Sequence, residues 1–216
     1  MEALEHLLLR LSYNDIHNAI ARTAPRIMSE FSPDLFIAIG GGGFIPARIL
    51  RTFCKVTMEG KKRNIPIQAV GLTLYESLGG IEEVAGQEVV RVQWIDFSTL
   101  GSKLKHGGLL GRRILIVDEV DDTRTTLVYT IKEMQKDINK HLEAIEDVTE
   151  RERLRAETKL GIFVVHNKLK PKAGEIPADV AYFSAVDTPD VWLAYPWECE
   201  TDIEEHDMLR KDNPTL

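Results

Sequence analysis

The stretch Arg112–Thr126, RRILIVDEVDDTRTT, sets four apolar residues, Ile114 to Val117, directly before the carboxylates of Asp118, Glu119, Asp121 and Asp122. An unbroken run of Ile, Leu and Val predicts a strand buried on both faces, as in a parallel sheet. The acids at its end repel one another. At about 4 Å a like-charge pair costs roughly 1 kcal/mol in water and several times more in a partly buried site. One Asp ahead of a helix acts as a cap and contributes about 1 kcal/mol. That accounts for one carboxylate and leaves three. Thr123, Arg124, Thr125 and Thr126 follow, bringing hydroxyls, a cation and the free N–H groups of a helix start, all suited to a phosphate. Carboxylates beside phosphates fit a ligand that carries sugar hydroxyls and a Mg2+ ion on its phosphates.

Three further apolar runs flank this one: DLFIAIG (Asp34–Gly40), IPIQAVGLTLYES (Ile65–Ser77) and KLGIFVVHNK (Lys159–Lys168). Between them lie helical patterns. SYNDIHNAIARTAPRIMSEF (Ser12–Phe31) has Ser12 or Asn14 as its cap and Ile16, Ile20 and Ile27 on a buried side, and IPARILRTFCKV carries Pro46 near its first turn. EVVRVQWID (Glu88–Asp96) alternates like one arm of a ribbon, and Leu78–Gln87, glycine-rich and acidic, suits a mobile loop. Helical periodicity from Thr125 to Glu157 predicts two helices, or one broken near Asp147–Thr149. The start, MEALEHLLLRLS, reads as the amphipathic beginning of a helix, and the tail from Lys170 as an irregular hood. Strands alternating with helices predict an α/β fold, a mostly parallel twisted sheet flanked by helices.

The 216 residues suffice for one substantial domain with a small hood over 170–216. With 27 basic against 34 acidic residues, the balance argues against a broad nucleic-acid face. Cys54 and Cys199 form neither a disulfide framework nor a metal-ligand spacing, which points to a reducing compartment. No secretory start and no membrane-length apolar run is visible, so a soluble cytoplasmic protein is expected.

Residues Ile39–Pro46, IGGGGFIP, place four glycines between a strand and a helix. Backbone free of side chains approaches an anion closely and presents several N–H groups to it. The motif is not a P-loop, since no Gly-Lys-Ser/Thr follows, and Phe44 and Ile45 break the dinucleotide fingerprint. A merely tight turn is the alternative. Ligands of open parallel sheets sit at the carboxyl ends of strands, where the glycines and the acids both fall, so one pocket serves both.

ILIVDEVDDTRTT resembles the phosphoribosyl-pyrophosphate motif of the type I phosphoribosyltransferases: an apolar strand, two acids, two further residues, then Asp-Thr-x-x-Thr. IGGGGFIPARIL resembles their pyrophosphate loop, and DVWLAYPWE (Asp190–Glu198) the purine-reading hood of the 6-oxopurine members. With TLYES and FVVHNK the match covers most of Ser12–Asp202 and is closest to the fungal hypoxanthine-guanine members. The resemblance implies transfer of 5-phosphoribosyl to N9 of hypoxanthine or guanine, small-molecule substrates, Mg2+ and a homodimer. It implies Asp118 and Glu119 on the ribose hydroxyls and near the metal, and Asp122 by purine N7 as the acid/base group. Asp122 with Thr123, Arg124, Thr125 and Thr126 would hold the 5′-phosphate. Gly41 and Gly42 would hold pyrophosphate, where the family often has a cis peptide.

For the base, the resemblance implies Lys168 at the 6-oxo group, with Lys170 as the fallback. Trp192 would stack on the ring, Leu193 would contact its edge through the backbone, and Glu198 would lie near the 2-position and the metal. Two departures stand out. Arg124 replaces a glycine of many members, with a cation for the phosphate as one consequence, and a glycine replaces a basic residue of the pyrophosphate loop. Asp121, at a variable position of the motif, is expected to be a solvent-facing helix-start residue whose amide would change little. Trp192 and Trp197 are alternatively hood core, Lys168 a solvated strand end, and His166 a packing or surface residue rather than a catalytic one. Tyr75 and Ser77 are lid candidates. The other readings are a xanthine-guanine phosphoribosyltransferase and a non-catalytic sensor of the same ligand.

Overall fold

The structure, a computed structural model, describes residues 7–56, 60, 62–74, 89–95 and 108–214, with backbone alone for 73, 74 and 89–92. The predicted lid residues Tyr75 and Ser77 and the loop Leu78–Gln87 lie outside the described residues.

The strands form where the apolar runs predict. β2 (Leu35–Gly40), β3 (Ile67–Leu74), β5 (Arg113–Asp121) and β6 (Lys159–Lys168) are parallel neighbours, with β4 (Val89–Gln93) antiparallel on β3 and β7 (Ala181–Thr188) parallel on β6. The sheet order is β4-β3-β2-β5-β6-β7. From β2 the chain moves first to one side of the sheet and later, through β5, to the other. The carboxyl ends of β2 and β5 therefore flank a crevice at the point of reversal, the usual seat of ligands in such sheets.

Alternation along the strands divides the core. Phe36, Leu115, Val117, Phe163 and Phe183 face Ile16, Ile20 and Ile27 of α1 (Tyr13–Glu30) and Leu50 of α2 (Phe44–Phe53). Leu35, Ile37, Ile114, Ile116 and Ile162 face Leu127, Ile131 and Met134 of α3 (Thr125–Glu143). Ser12 starts α1 by a reciprocal cap: its Oγ accepts from the Asp15 N–H at 3.1 Å while Asp15 accepts from the Ser12 N–H at 2.9 Å. The break near Asp147 is real, since its carboxylate accepts from the N–H groups of Thr149 and Glu150 and starts α4 (Val148–Glu157).

Two expectations need correction. Leu8–Arg10 is not helical but a short strand, β1, parallel to β8 (Trp192–Ala194), and the helix begins only at the Ser12 cap. Leu7, Leu9 and Leu11 alternate onto the core there, a period of two inside a leucine run. The segment from Lys170 is not all hood either, because β7 completes the main sheet as an edge strand. Its weak alternation of burial hid it. The hood proper is β1, β8, the turn Pro196–Glu198 and α5 (Ile203–Leu209).

Candidate active site

The crevice holds a cavity of about 610 Å³ at the ends of β2 and β5. Gly41, Gly42, Asp118, Glu119, Thr126 and Glu198 line it, all of them predicted, while Phe44, Leu72 and Trp197 form apolar walls. Two of the glycines are demanded by close approach. A Cβ on Gly43 would lie 2.3 Å from the Val117 carbonyl oxygen, and one on Gly42 2.2 Å from the Glu119 carboxyl carbon. A Cβ on Gly41 would meet nothing within 4 Å. The Gly40–Gly41 peptide bond is cis.

Among the described residues, Asp118 and Glu119 are held by N–H groups rather than by cations. Asp118 accepts from the Glu119 N–H at 2.8 Å, and Glu119 from the Trp197 indole N–H at 2.7 Å. Burial pushes the Asp118 carboxyl up to about 8, reinforced by the charges of Glu119 and Asp121. Burial likewise raises Glu119 to about 7 against the Trp197 bond, with the charge of Glu198 adding to the rise. Both groups are poised for a ligand that relieves this strain of charge. Among the described residues no three His, Cys, Asp or Glu side chains converge to hold a metal by themselves, so Asp118, Glu119 and Glu198 do not form a closed cation cage.

Behind them Tyr195 bolts the hood to β5. Its hydroxyl donates to the Glu119 carbonyl at 3.2 Å and lies 2.9 Å from His166 Nδ1, and its ring stacks on Trp197 at 4.8 Å. Trp197 is thus a brace for Glu119, and buried His166 a packing residue. Trp192 is 68% exposed, so it is not hood core, and its ring is free to meet a base. Trp192 N–H donates to Leu7 O and Ala194 O accepts from Leu11 N–H. The alternation of a parallel ladder then turns the N–H and C=O of Leu193 toward the opposite edge.

Asp122 lies among lysines. Lys170 Nζ stands 2.8 Å and Lys168 Nζ 3.4 Å from its carboxylate, and both ammoniums also reach Asp190, at 3.0 and 3.6 Å. Burial alone would raise Asp122, but the hydrogen bond from Lys170 and the two lysine charges outweigh it and hold the carboxyl below its ordinary value. Lys168 is no solvated strand end, since only 9% of it is exposed. It and Lys170 act on the same partners, which the sequence reading treated as alternatives.

The expectation for Asp121 is overturned. It is fully buried and accepts from Arg124 Nε and Nη2 at 2.9 and 2.8 Å and from the Tyr182 hydroxyl at 2.7 Å. Arg124, at φ 72°, precedes α3 in the left-handed region. Its guanidinium folds back onto Asp121 and over the Tyr182 ring, 5.3 Å from the centroid. Thr123 and Thr125 share a hydroxyl contact of 3.0 Å at the α3 start; Thr123 Oγ1 accepts from the Thr125 N–H at 3.5 Å, and the Arg124 side chain caps nothing. Asp190, Lys172, Tyr182 and Tyr195 escaped the sequence reading. Asp190 and Tyr195 lie inside the DVWLAYPWE run, and no local pattern marks Lys172 or Tyr182.

A protein from Schizosaccharomyces pombe named hypoxanthine-guanine phosphoribosyltransferase is 53% identical over 209 residues, 94% of this chain and 95% of its own length. The chain belongs to the purine phosphoribosyltransferases. A second member of the family, xanthine phosphoribosyltransferase 1 of Saccharomyces cerevisiae, is 46% identical over 96% of this chain and 97% of its own. No protein-family model matches the chain. Among solved structures, a hypothetical protein from Neisseria gonorrhoeae with bound ppGpp superposes with a TM-score of 0.71 at 36% identity, covering 96% of this chain and 97% of the other. A purine phosphoribosyltransferase from Pyrococcus horikoshii, at 22% identity over 90% and 96% of the two chains, shares the fold with a TM-score of 0.59. The fold is that of the type I phosphoribosyltransferases.

Proposed function

We propose that this phosphoribosyltransferase moves the 5-phosphoribosyl group from phosphoribosyl pyrophosphate to N9 of hypoxanthine or guanine, as a purine-salvage enzyme. The observation that carries the reading is the single cavity that collects Gly41, Gly42, Asp118, Glu119 and Glu198 beside the α3 start. Asp118 and Glu119 bind the ribose hydroxyls, Gly41 and Gly42 the pyrophosphate. Thr123, Thr125, Thr126 and the backbone of Arg124 bind the 5′-phosphate, with Asp122 at the edge of that turn. Trp192 stacks on the base, while Leu193 and Glu198 read its edge. The S. pombe relative's name supports the choice of bases, and the bound ppGpp of the Neisseria neighbour supports a site for guanine and linked phosphates.

In the transfer, the bond from C1′ to the pyrophosphate oxygen breaks and the bond from C1′ to N9 forms. The proton on N7 passes to Asp122. Its depressed pKa keeps Asp122 ionised in the free enzyme, so it is ready to accept that proton. When Lys168 and Lys170 turn toward the 6-oxo group they withdraw their charges from Asp122, and its basicity rises as the base arrives. The raised Asp118 and Glu119, with no cation beside them among the described residues, fit Mg2+ brought by the substrate better than a resident ion. Asp118, Glu119 and Glu198 would meet that ion, which supplies charge neutralisation on the leaving pyrophosphate. A cytoplasmic homodimer is the setting the family resemblance implies. Among the described residues no helix is long and apolar enough to cross a membrane.

A second reading, xanthine as a substrate, is favoured by the Saccharomyces relative. Nucleotide formation from guanine and phosphoribosyl pyrophosphate, followed by absorbance, tests the proposal. Turnover is expected with Mg2+ and none with excess chelator. Full activity in metal-free buffer would remove Mg2+ from the account, and no product in either condition would remove the function.

A further inference from the structure

Arg124 stands in a turn that a side chain ordinarily disfavours. At φ 72° and ψ −3° it is one of two non-glycine residues with positive φ among the described residues. A left-handed residue followed by helix points successive N–H groups into one concave surface, a natural anion seat. The guanidinium does not face that surface. Nε and Nη2 are both committed to Asp121, and the Tyr182 ring covers one face.

The carboxylate of Asp121, at the end of β5, is fully buried. Oδ2 takes the two bonds from Arg124 and one from the Tyr182 hydroxyl, and Oδ1 lies 3.3 Å from Lys172 Nζ. Lys172 also donates to the carbonyls of Asp121 and Asp122 at 2.7 and 2.9 Å, and the Ala173 N–H donates to the Thr123 carbonyl at 2.9 Å. The turn is therefore gripped from β5, from β7 and from the segment after β6. A planar guanidinium that sends two N–H groups to one buried carboxylate oxygen fixes direction in a way that a lysine ammonium does not.

We propose that Arg124 is a positioning residue rather than a phosphate ligand. Clamped by Asp121, Tyr182 and Lys172, it holds the left-handed turn that aims the N–H groups and hydroxyls of residues 124–126 at the substrate's 5′-phosphate. This rests on the phosphoribosyl-transfer reading above. Charge and geometry make opposite demands on the cluster, which renders the idea testable. If Arg124 served as a cation for the phosphate, lysine would replace it passably and glycine would not. As a clamp it is poorly replaced by lysine, which lacks the fork, whereas glycine adopts φ 72° without steric strain. Asp121→Asn adds a net positive charge behind the phosphate. It tightens phosphate binding on the charge account and weakens it on the clamp account.

The experiment measures kcat, the KM for phosphoribosyl pyrophosphate, the KM for guanine and the melting temperature of wild type, Arg124→Lys, Arg124→Gly, Asp121→Asn and Tyr182→Phe. Arg124→Lys and Asp121→Asn are expected to raise the KM for phosphoribosyl pyrophosphate about tenfold or more, with the guanine KM shifted less than about threefold. Arg124→Gly should fall between wild type and Arg124→Lys. Tyr182→Phe, which loses one hydroxyl and keeps the ring, should raise the same KM about twofold to threefold and remain folded. Arg124→Lys near wild type with Arg124→Gly the worse, or Asp121→Asn with a lowered KM, would overturn the clamp. So would a folded Tyr182→Phe with unaltered kinetics, even if the other variants do not fold. A wild type without turnover would instead overturn the reading on which the clamp rests, and the clamp with it.

Discussion

A Cβ on Gly42 would sit 2.2 Å from the carboxyl carbon of Glu119, the acid that Trp197 holds through its indole N–H at 2.7 Å. The glycine loop and the acid strand thus pack into one surface. Gly42→Ala is expected to displace Glu119 or the loop and to lower kcat/KM by about 10²-fold, the scale of a 1 Å error in a site. Gly41→Ala meets no atom within 4 Å of its new methyl. It should melt like wild type and lose only affinity for the substrate's pyrophosphate. Kinetics and melting curves for the two variants check this, and equal behaviour would contradict the assignment of the loop.

Asp122→Asn preserves shape but removes the base, and it turns one of the two oxygens that face Lys168 and Lys170 into a donor. A fall in kcat of about 10²-fold to 10⁴-fold is expected, with the KM for phosphoribosyl pyrophosphate little changed. Asp121→Asn should act in the opposite way, through KM. Steady-state kinetics separate the two, and a normal kcat for Asp122→Asn would contradict the proton route to N7.

His166 gives a pH dependence of stability. Burial presses it down to about 4, against the charge of Asp15. In the unfolded chain it titrates near 6.5. Between those values the unfolded chain binds a proton that the folded chain refuses, so acidification through this window weakens the fold by at most roughly 3 kcal/mol. Asp118 and Glu119, raised to about 8 and about 7, act in the opposite sense, because their folded forms hold protons that the unfolded chain has lost. The difference between wild type and His166→Gln is therefore the quantity to follow. Chemical denaturation at pH 7.5 and pH 5 should show a smaller acid loss, or a larger acid gain, for the variant. Parallel responses would contradict the buried neutral histidine.

Sequence alone carried the centre of the fold well. Leu35–Ile39 and Ile114–Val117 are buried without interruption, and such runs have few alternatives to a central parallel strand. The glycines and acids were legible for the same reason, since both sit where those strands end. What stayed hidden depends on partners far along the chain. Tyr182 reaches Asp121 across 61 residues and Lys172 across 51, and no local pattern around Asp121 distinguishes that burial from a solvated helix start. β1 and β7 were missed because one lies inside a leucine run and the other, at the sheet edge, alternates only weakly.

The central claim, phosphoribosyl transfer to a 6-oxopurine read by Lys168 and Lys170, is tested most directly by comparing kcat/KM for hypoxanthine, guanine, xanthine and adenine with phosphoribosyl pyrophosphate and Mg2+. A buried ammonium facing the 6-amino group of adenine leaves two donors unpaired, a mismatch that excludes an analogue by about 10⁴-fold or more. The account predicts hypoxanthine and guanine as good substrates, xanthine as a poorer one and adenine as rejected. Adenine within tenfold of guanine would contradict it.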